Sequence, residues 1–426
     1  MKRTIRNTII RIAIIGVLTA ALILVASKYR PSWAESSEQR ADREITQNND
    51  LTLWYYDEAL TPYVNQLSTD YFRKEGLRVG CELVSVVSFF EKINEANVNG
   101  GDTPDLYITD TTRLEQAYLG SVAKQNAYPD IYTLENYSVK SLTSILYNGK
   151  QVAYPLCFDM EYFVYNKDYM EKAPLTFTQI TNESESFTKQ TESPVDMVIL
   201  YDVSDLLFNY HFLGGSVNLG GDAGDDDTSI SLDAEELLPA MQAYQAFAQK
   251  AKINIDRTTY DLAENSFVFG RSMCSILKCS SLEALNREHT NYAIAPMPKV
   301  SADVDSKALS TTFCVCVNPM SKNVSAAEKL AKYMTYDNTS SIYSLTGYMS
   351  CKRMDYSEAG FAEVYALYDD TASLPKFIET EELWRDMKTL LNQLAKDTEA
   401  DPSDALTTFV DSVYSQLATR TGQEHK

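Results

Sequence analysis

Carboxylates, an arginine and flat aromatic rings gather at the ends of apolar runs in this chain of 426 residues. Planar carboxylate and guanidinium groups grip neighbouring hydroxyls in pairs, and an aromatic face stacks on the C–H side of a sugar ring. Thr109, Asp110 and Arg113 sit at the end of one such run, which begins at Asp105-Leu106-Tyr107-Ile108. Asp159 and Glu161 stand two apart, so on a strand they share one face. An acid pair of this kind could in principle cleave a glycoside, but in a chain with 59 acids such pairs arise by chance. Lys278-Cys279-Ser280-Ser281 follows a further apolar run at a predicted helix start, where free N–H groups can hold a hydroxyl or an anion.

Other chemistries lack their residues. The three histidines, His211, His289 and His425, have no nucleophile motif beside them. No phosphate loop, dinucleotide fingerprint or zinc helix motif occurs, so neither a cofactor nor catalysis is expected. Gly220-Gly221-Asp222-Ala223-Gly224-Asp225-Asp226-Asp227 is acidic, but it lacks the alternation and closing Glu of a calcium loop and reads as a solvated loop. A formal net charge of -21 argues against nucleic acid as a partner, because phosphate binding needs a basic face. The seven cysteines show no zinc-site spacing and read as small core residues, with Cys314 and Cys316 on one strand face.

Elements that could position these groups alternate from Leu51 onward. Leu51–Tyr56 reads as a strand, about Leu60–Glu75 as a helix stopped by Gly76, and Arg78–Val87 as a strand. A helix follows from Phe89 until Gly100-Gly101, then the 105–109 strand. That alternation implies a largely parallel sheet covered by helices, with ligands at the carboxyl ends of its strands. Further on, Asp196–Tyr201 reads as a strand, Val203–Leu213 as a helix ending at Gly214-Gly215, and Asp233–Ala251 as an amphipathic helix. Ser325-Ala326-Ala327-Glu328 has the form of a capping box, and Asp401-Pro402 a cap with a first-turn proline.

Gly149–Pro155, Tyr162–Asp168, Ala173–Phe177, Phe267–Met273 and Ile294–Pro298, in this order and spacing, resemble the extracellular solute-binding proteins of bacterial ABC importers, the family that includes maltose-binding protein. The resemblance spans about residues 50–420. It implies an α/β, two-lobe periplasmic-binding-protein-like (type II) fold with discontinuous lobes joined by a hinge. Lobe one would be residues 50–155 with 308–350, and lobe two residues 159–300 with 354–420. The chain would cross near 154–159, 297–313 and 347–353. Tyr56, Asp57 and Glu58 fall where the family's opening loop touches ligand. Asp159 falls where maltose-binding protein has a ligand-binding acid. Ser280 stands about where that protein carries a stacking tryptophan, a departure from the maltodextrin pattern. Trp384, followed by Arg385, matches a second stacking tryptophan.

Lys2, Arg3, Arg6 and Arg11 precede an apolar run, Ile12–Ala26, which reads as an export signal or membrane anchor within residues 1–34. Residues 35–49 read as a tether. Cleavage near Ser32-Trp33-Ala34 and retention as an anchor, with membrane association through residues 9–26, both remain open. The resemblance implies a monomeric extracytoplasmic receptor that captures a carbohydrate, an oligosaccharide, and delivers it to ABC permease subunits. A membrane-tethered sensor domain and a glycoside-processing enzyme are the rival readings.

Overall fold

The structure is a computed structural model, and it describes residues 50–99, 103–372, 375–377 and 380–421. The expected signal or anchor, the tether, Gly100-Gly101 and His425 lie outside the described residues. Residues from Leu51 onward form one compact unit.

Thirteen strands follow one another among the described residues: β1 Leu51–Tyr55, β2 Val79–Leu83, β3 Leu106–Asp110, β4 Leu146–Tyr147, β5 Lys150–Gln151, β6 Tyr154–Asn166, β7 Met197–Ile199, β8 Asn218–Leu219, β9 Ile230–Ser231, β10 Ser272–Lys278, β11 Tyr292–Ala295, β12 Ser310–Val317 and β13 Met349–Ser350. Nine of them make one sheet, with the path β2-β1-β3-β12-β6-β10-β7 and both β11 and β13 added to β6. The β1-β2 and β1-β3 pairs are parallel, as the strand–helix alternation implies. The pairs β12-β3, β12-β6 and β10-β6 are antiparallel, so the sheet is mixed.

The long strand β6 organises the molecule. Its first half, from Tyr154 to Met160, pairs with β12 and β13. Its second half, from Glu161 to Asn166, pairs with β10 and β11. Pro155 holds its predecessor extended at the entry to this strand.

Alternation along the strands divides the core. Trp54, Tyr107, Cys314 and Cys316 point to one face and pack with Phe89 and Phe90. Leu53, Ile108, Val315 and Val317 point to the other face, against Tyr63, Val64 and Leu67 of the Thr61–Glu75 helix. A third core joins Phe163, Val198, Cys274 and Ile276 to the Ala234–Lys250, Thr380–Lys396 and Pro402–Thr421 helices. Six of the seven free cysteines are buried in these cores, and Cys81 is half-buried.

Several elements depart from the sequence reading. The expected strand 78–87 ends at Leu83, and Val86–Ser88 turn as a short 3-10 segment. The expected helix 203–213 breaks into Leu206–Asn209 and His211–Gly214. The capping box at Ser325 does not form. That helix starts at Val324 after Asn323, so Ser325 already lies inside it, and Glu328 pairs with Lys124 instead. The caps at Asp233 and Asp401 do form, each carboxylate accepting from a backbone N–H two residues on.

Candidate functional site

Asp110 ends β3 and gathers the first group of predicted residues. Its backbone N–H donates to the Tyr56 hydroxyl oxygen at 2.7 Å, and that hydroxyl donates to Asp110 Oδ2. Burial first, then the Asp110 charge, holds the Tyr56 hydroxyl well above its ordinary pKa. Arg113 Nε lies 3.5 Å from Asp110 Oδ2 but is not aligned for a hydrogen bond, and Nη2 donates to Glu381 Oε1 at 3.1 Å. The guanidinium also sits 5.7 Å from the Tyr56 ring centroid. Thr109 is fully buried behind this group, its hydroxyl donating to the Asp110 carbonyl. Asp57 accepts from Ala59 N–H and from the Tyr348 hydroxyl at 2.8 Å, while Glu58 is exposed.

A second group forms where β6 pairs with β10. Asp159 Oδ1 accepts from the backbone N–H groups of Cys279 and Met160, at 3.1 and 3.0 Å. Glu161 lies directly opposite Lys278 in the ladder. Burial, reinforced by the neighbouring Asp159 charge and opposed by Lys278, pushes the Glu161 carboxyl up to about 8. Its Oε2 is buried without a hydrogen-bond partner. Burial raises Asp159 as well, with Lys278 acting against it. Lys278 Nζ lies 5.2 Å from the Phe208 ring and 5.4 Å from the Tyr260 ring, so aromatic faces flank the ammonium. Ser280 is exposed and makes no side-chain cap to the Ser281–Arg287 helix.

Trp384 stands on the Thr380–Lys396 helix beside the buried stripe Leu383, Met387, Leu390 and Leu394. It is half-buried, with Tyr210 6.1 Å away between ring centroids. Arg385 is exposed and lies 3.7 Å from Asp386.

A cavity of about 280 Å³ brings part of this together, lined by Asp110, Arg113, Thr311, Lys376, Glu381 and Trp384. Tyr56, Asp57, Glu58, Thr109, Asp159, Glu161, Lys278, Ser280 and Arg385 lie outside its lining. Sequence reasoning missed Thr311, Lys376, Phe377 and Glu381 at this wall. Thr311 was findable, since it faces Asp159 across the β12-β6 ladder. Lys376 and Phe377 sit in an irregular segment after Pro375, where no periodicity marks them. A second, more polar cavity of about 460 Å³ is bordered by Lys140, Asp222, Lys307 and Asp369.

Acid–base chemistry finds no histidine here. His211 is 1% exposed, stacked on Phe177 at 4.4 Å, and burial pushes it down to about 3. Among the described residues no group of three or more His, Cys, Asp or Glu is placed to hold a metal ion.

One strand shared by two groups of strands, with a lined cavity beside it, is the two-lobe type II binding-protein fold. The sequence pattern of the bacterial extracellular solute-binding proteins matches residues 82–352, and the chain belongs to that family. A maltooligosaccharide ABC transporter solute-binding lipoprotein of Streptococcus pneumoniae is 21% identical over 421 residues, covering 94% of this chain and 96% of that protein. The maltodextrin-binding protein MdxE of Bacillus subtilis is 20% identical, covering 84% of this chain and 88% of its own. An extracellular solute-binding protein of Staphylococcus aureus, solved in complex with maltose, superposes with a TM-score of 0.71 at 17% identity, covering 87% of this chain and 98% of that one.

Proposed function

We propose that this protein captures an oligosaccharide outside the cell and passes it to the membrane subunits of an ABC importer, without catalysing a reaction. The cavity carries the reading: Trp384 offers an aromatic face, while Arg113, Thr311 and Lys376 offer polar groups beside it. Relatives named for maltooligosaccharides and maltodextrins support a sugar ligand. Tyr56 and Asp110 orient Arg113. Asp159, Glu161 and Lys278 extend the polar wall toward the β6-β10 ladder, with Asp57 and Ser280 at its margins. Glu58, Thr109 and Arg385 serve as flanking or supporting residues. Residues 50–155 with 308–350 form one lobe of the clamp and 159–300 with 354–420 the other. The receptor acts as a monomer, held at the membrane or released according to the fate of its amino-terminal segment.

Calorimetry against maltose, maltotriose and maltotetraose tests this. A saturable 1:1 isotherm with the sugar recovered intact is expected. No heat and no thermal stabilisation with any neutral oligosaccharide would overturn the reading, and cleaved sugar would restore the enzyme reading.

A further inference from the structure

Lys376 is a buried lysine on the wall of the cavity, with no carboxylate paired to it among the described residues. It is 2% exposed, and Nζ donates to the carbonyl oxygens of Thr143 and Leu146, at 3.1 and 2.6 Å. An ammonium has three N–H donors, so one remains. Among the described residues no carboxylate forms an ion pair with it; Asp225 acts on it only from a distance. Burial pushes its pKa down to about 7, with the Asp225 charge acting against that shift. Arg113 lines the same cavity; its buried Nε lies against Asp110 Oδ2 at 3.5 Å and Nη2 donates to Glu381, so Nη1 is the nitrogen left to donate among the described residues.

The acids on that wall are already committed. Asp110 Oδ1 accepts from Thr112 and Oδ2 from Tyr56. Glu381 holds Arg113 Nη2 with a side chain 78% exposed. A neutral hydroxyl could accept from Lys376 but would leave its charge uncompensated. A carboxylate would accept from both spare donors and supply the missing charge. The net charge of -21 does not forbid this, since exposed charges farther than about 8–10 Å are screened at physiological salt.

We propose that the cavity takes a carboxylate-bearing sugar, a uronate residue of an acidic oligosaccharide, with Lys376 and Arg113 as its anion-holding pair. This rests on the reading of the protein as an oligosaccharide receptor and narrows its ligand.

The test compares three probes by calorimetry at pH 6: maltotriose, the same trisaccharide with glucuronate at its non-reducing end, and trigalacturonate. Wild-type protein should bind at least one uronate probe tenfold or more tighter than maltotriose. Lys376→Gln should bring that ratio within about threefold of unity, and Lys376→Arg should keep most of it. Maltotriose binding as tightly as both uronates would overturn the inference and leave the receptor function standing. A uronate preference that persists in Lys376→Gln would also overturn it, by removing Lys376 from the site. Binding of none of the three would remove the receptor reading and the inference together. The wild-type comparison decides even if the Lys376→Gln protein does not fold.

Discussion

Trp384 is the residue on which sugar stacking depends in the proposed cleft. An aromatic contact is worth about 0.5–1.5 kcal/mol beyond its area, so Trp384→Ala should weaken binding about tenfold. The helix retains Leu383, Met387, Leu390 and Leu394 in the core, so the fold should persist. Titration of the variant checks this; unchanged affinity with a lowered Tm would make Trp384 a packing residue only. Glu161 gives a prediction about pH. Its folded pKa, about 8, lies above the ordinary carboxylate value. From about pH 4.5 to 8 the unfolded chain has released this proton and the folded protein still holds it. Its share of stability is therefore complete at acid pH and is lost as pH rises toward 8, by up to about 1.4 kcal/mol per pH unit. Gln mimics the protonated acid, so Glu161→Gln without ligand should match wild type near pH 4.5 and exceed it in Tm at pH 8. Equal melting curves at both pH values would show that Glu161 ionises freely in the folded protein.

Elements were legible where one physical signal sufficed. The 61–75 helix ends at Gly76 with φ 73°, as a glycine after an amphipathic run foretells. Asp233 caps its helix, and Cys314 and Cys316 share a buried face. The failures came where two signals competed. Ser325 and Glu328 have capping spacing, but the helix begins one residue before Ser325. Gly214-Gly215 do stop the helix as read, but they answer a second demand as well: a Cβ on Gly214 would lie 2.4 Å from the Lys307 carbonyl oxygen, and one on Gly215 2.2 Å from that of Asp305. Both glycines are there because another segment of backbone passes against them, which a local pattern does not encode. Gly214→Ala should therefore cost about 1–3 kcal/mol, as overpacking does. Chemical denaturation would measure it, and a neutral result would show that the 305–307 segment yields freely. Of the residues lining the cavity, Asp110 and Arg113 were legible because they end or follow a strand, and Trp384 because it edges the apolar stripe of a helix. Lys376 escaped because its setting is built by the carbonyls of Thr143 and Leu146, more than two hundred residues away.

The whole molecule turns on two strand groups that share β6. Ligand held by residues from distant parts of the chain favours the conformation in which they meet. Small-angle scattering should therefore show a smaller radius of gyration with saturating sugar than without; an unchanged radius would count against closure by a hinge. Among the described residues no helix is long and apolar enough to cross a membrane.

The antiparallel match between β3 and β12 sets a clock on biosynthesis. Ile108 finds its neighbour in Val315, and at ribosomal rates of roughly 5–20 residues per second the second strand follows the first by about 10–40 s. Throughout that interval one edge of β3 offers its N–H and C=O groups to any other chain nearby. The amino-terminal half cannot complete its sheet before residue 317 has been made.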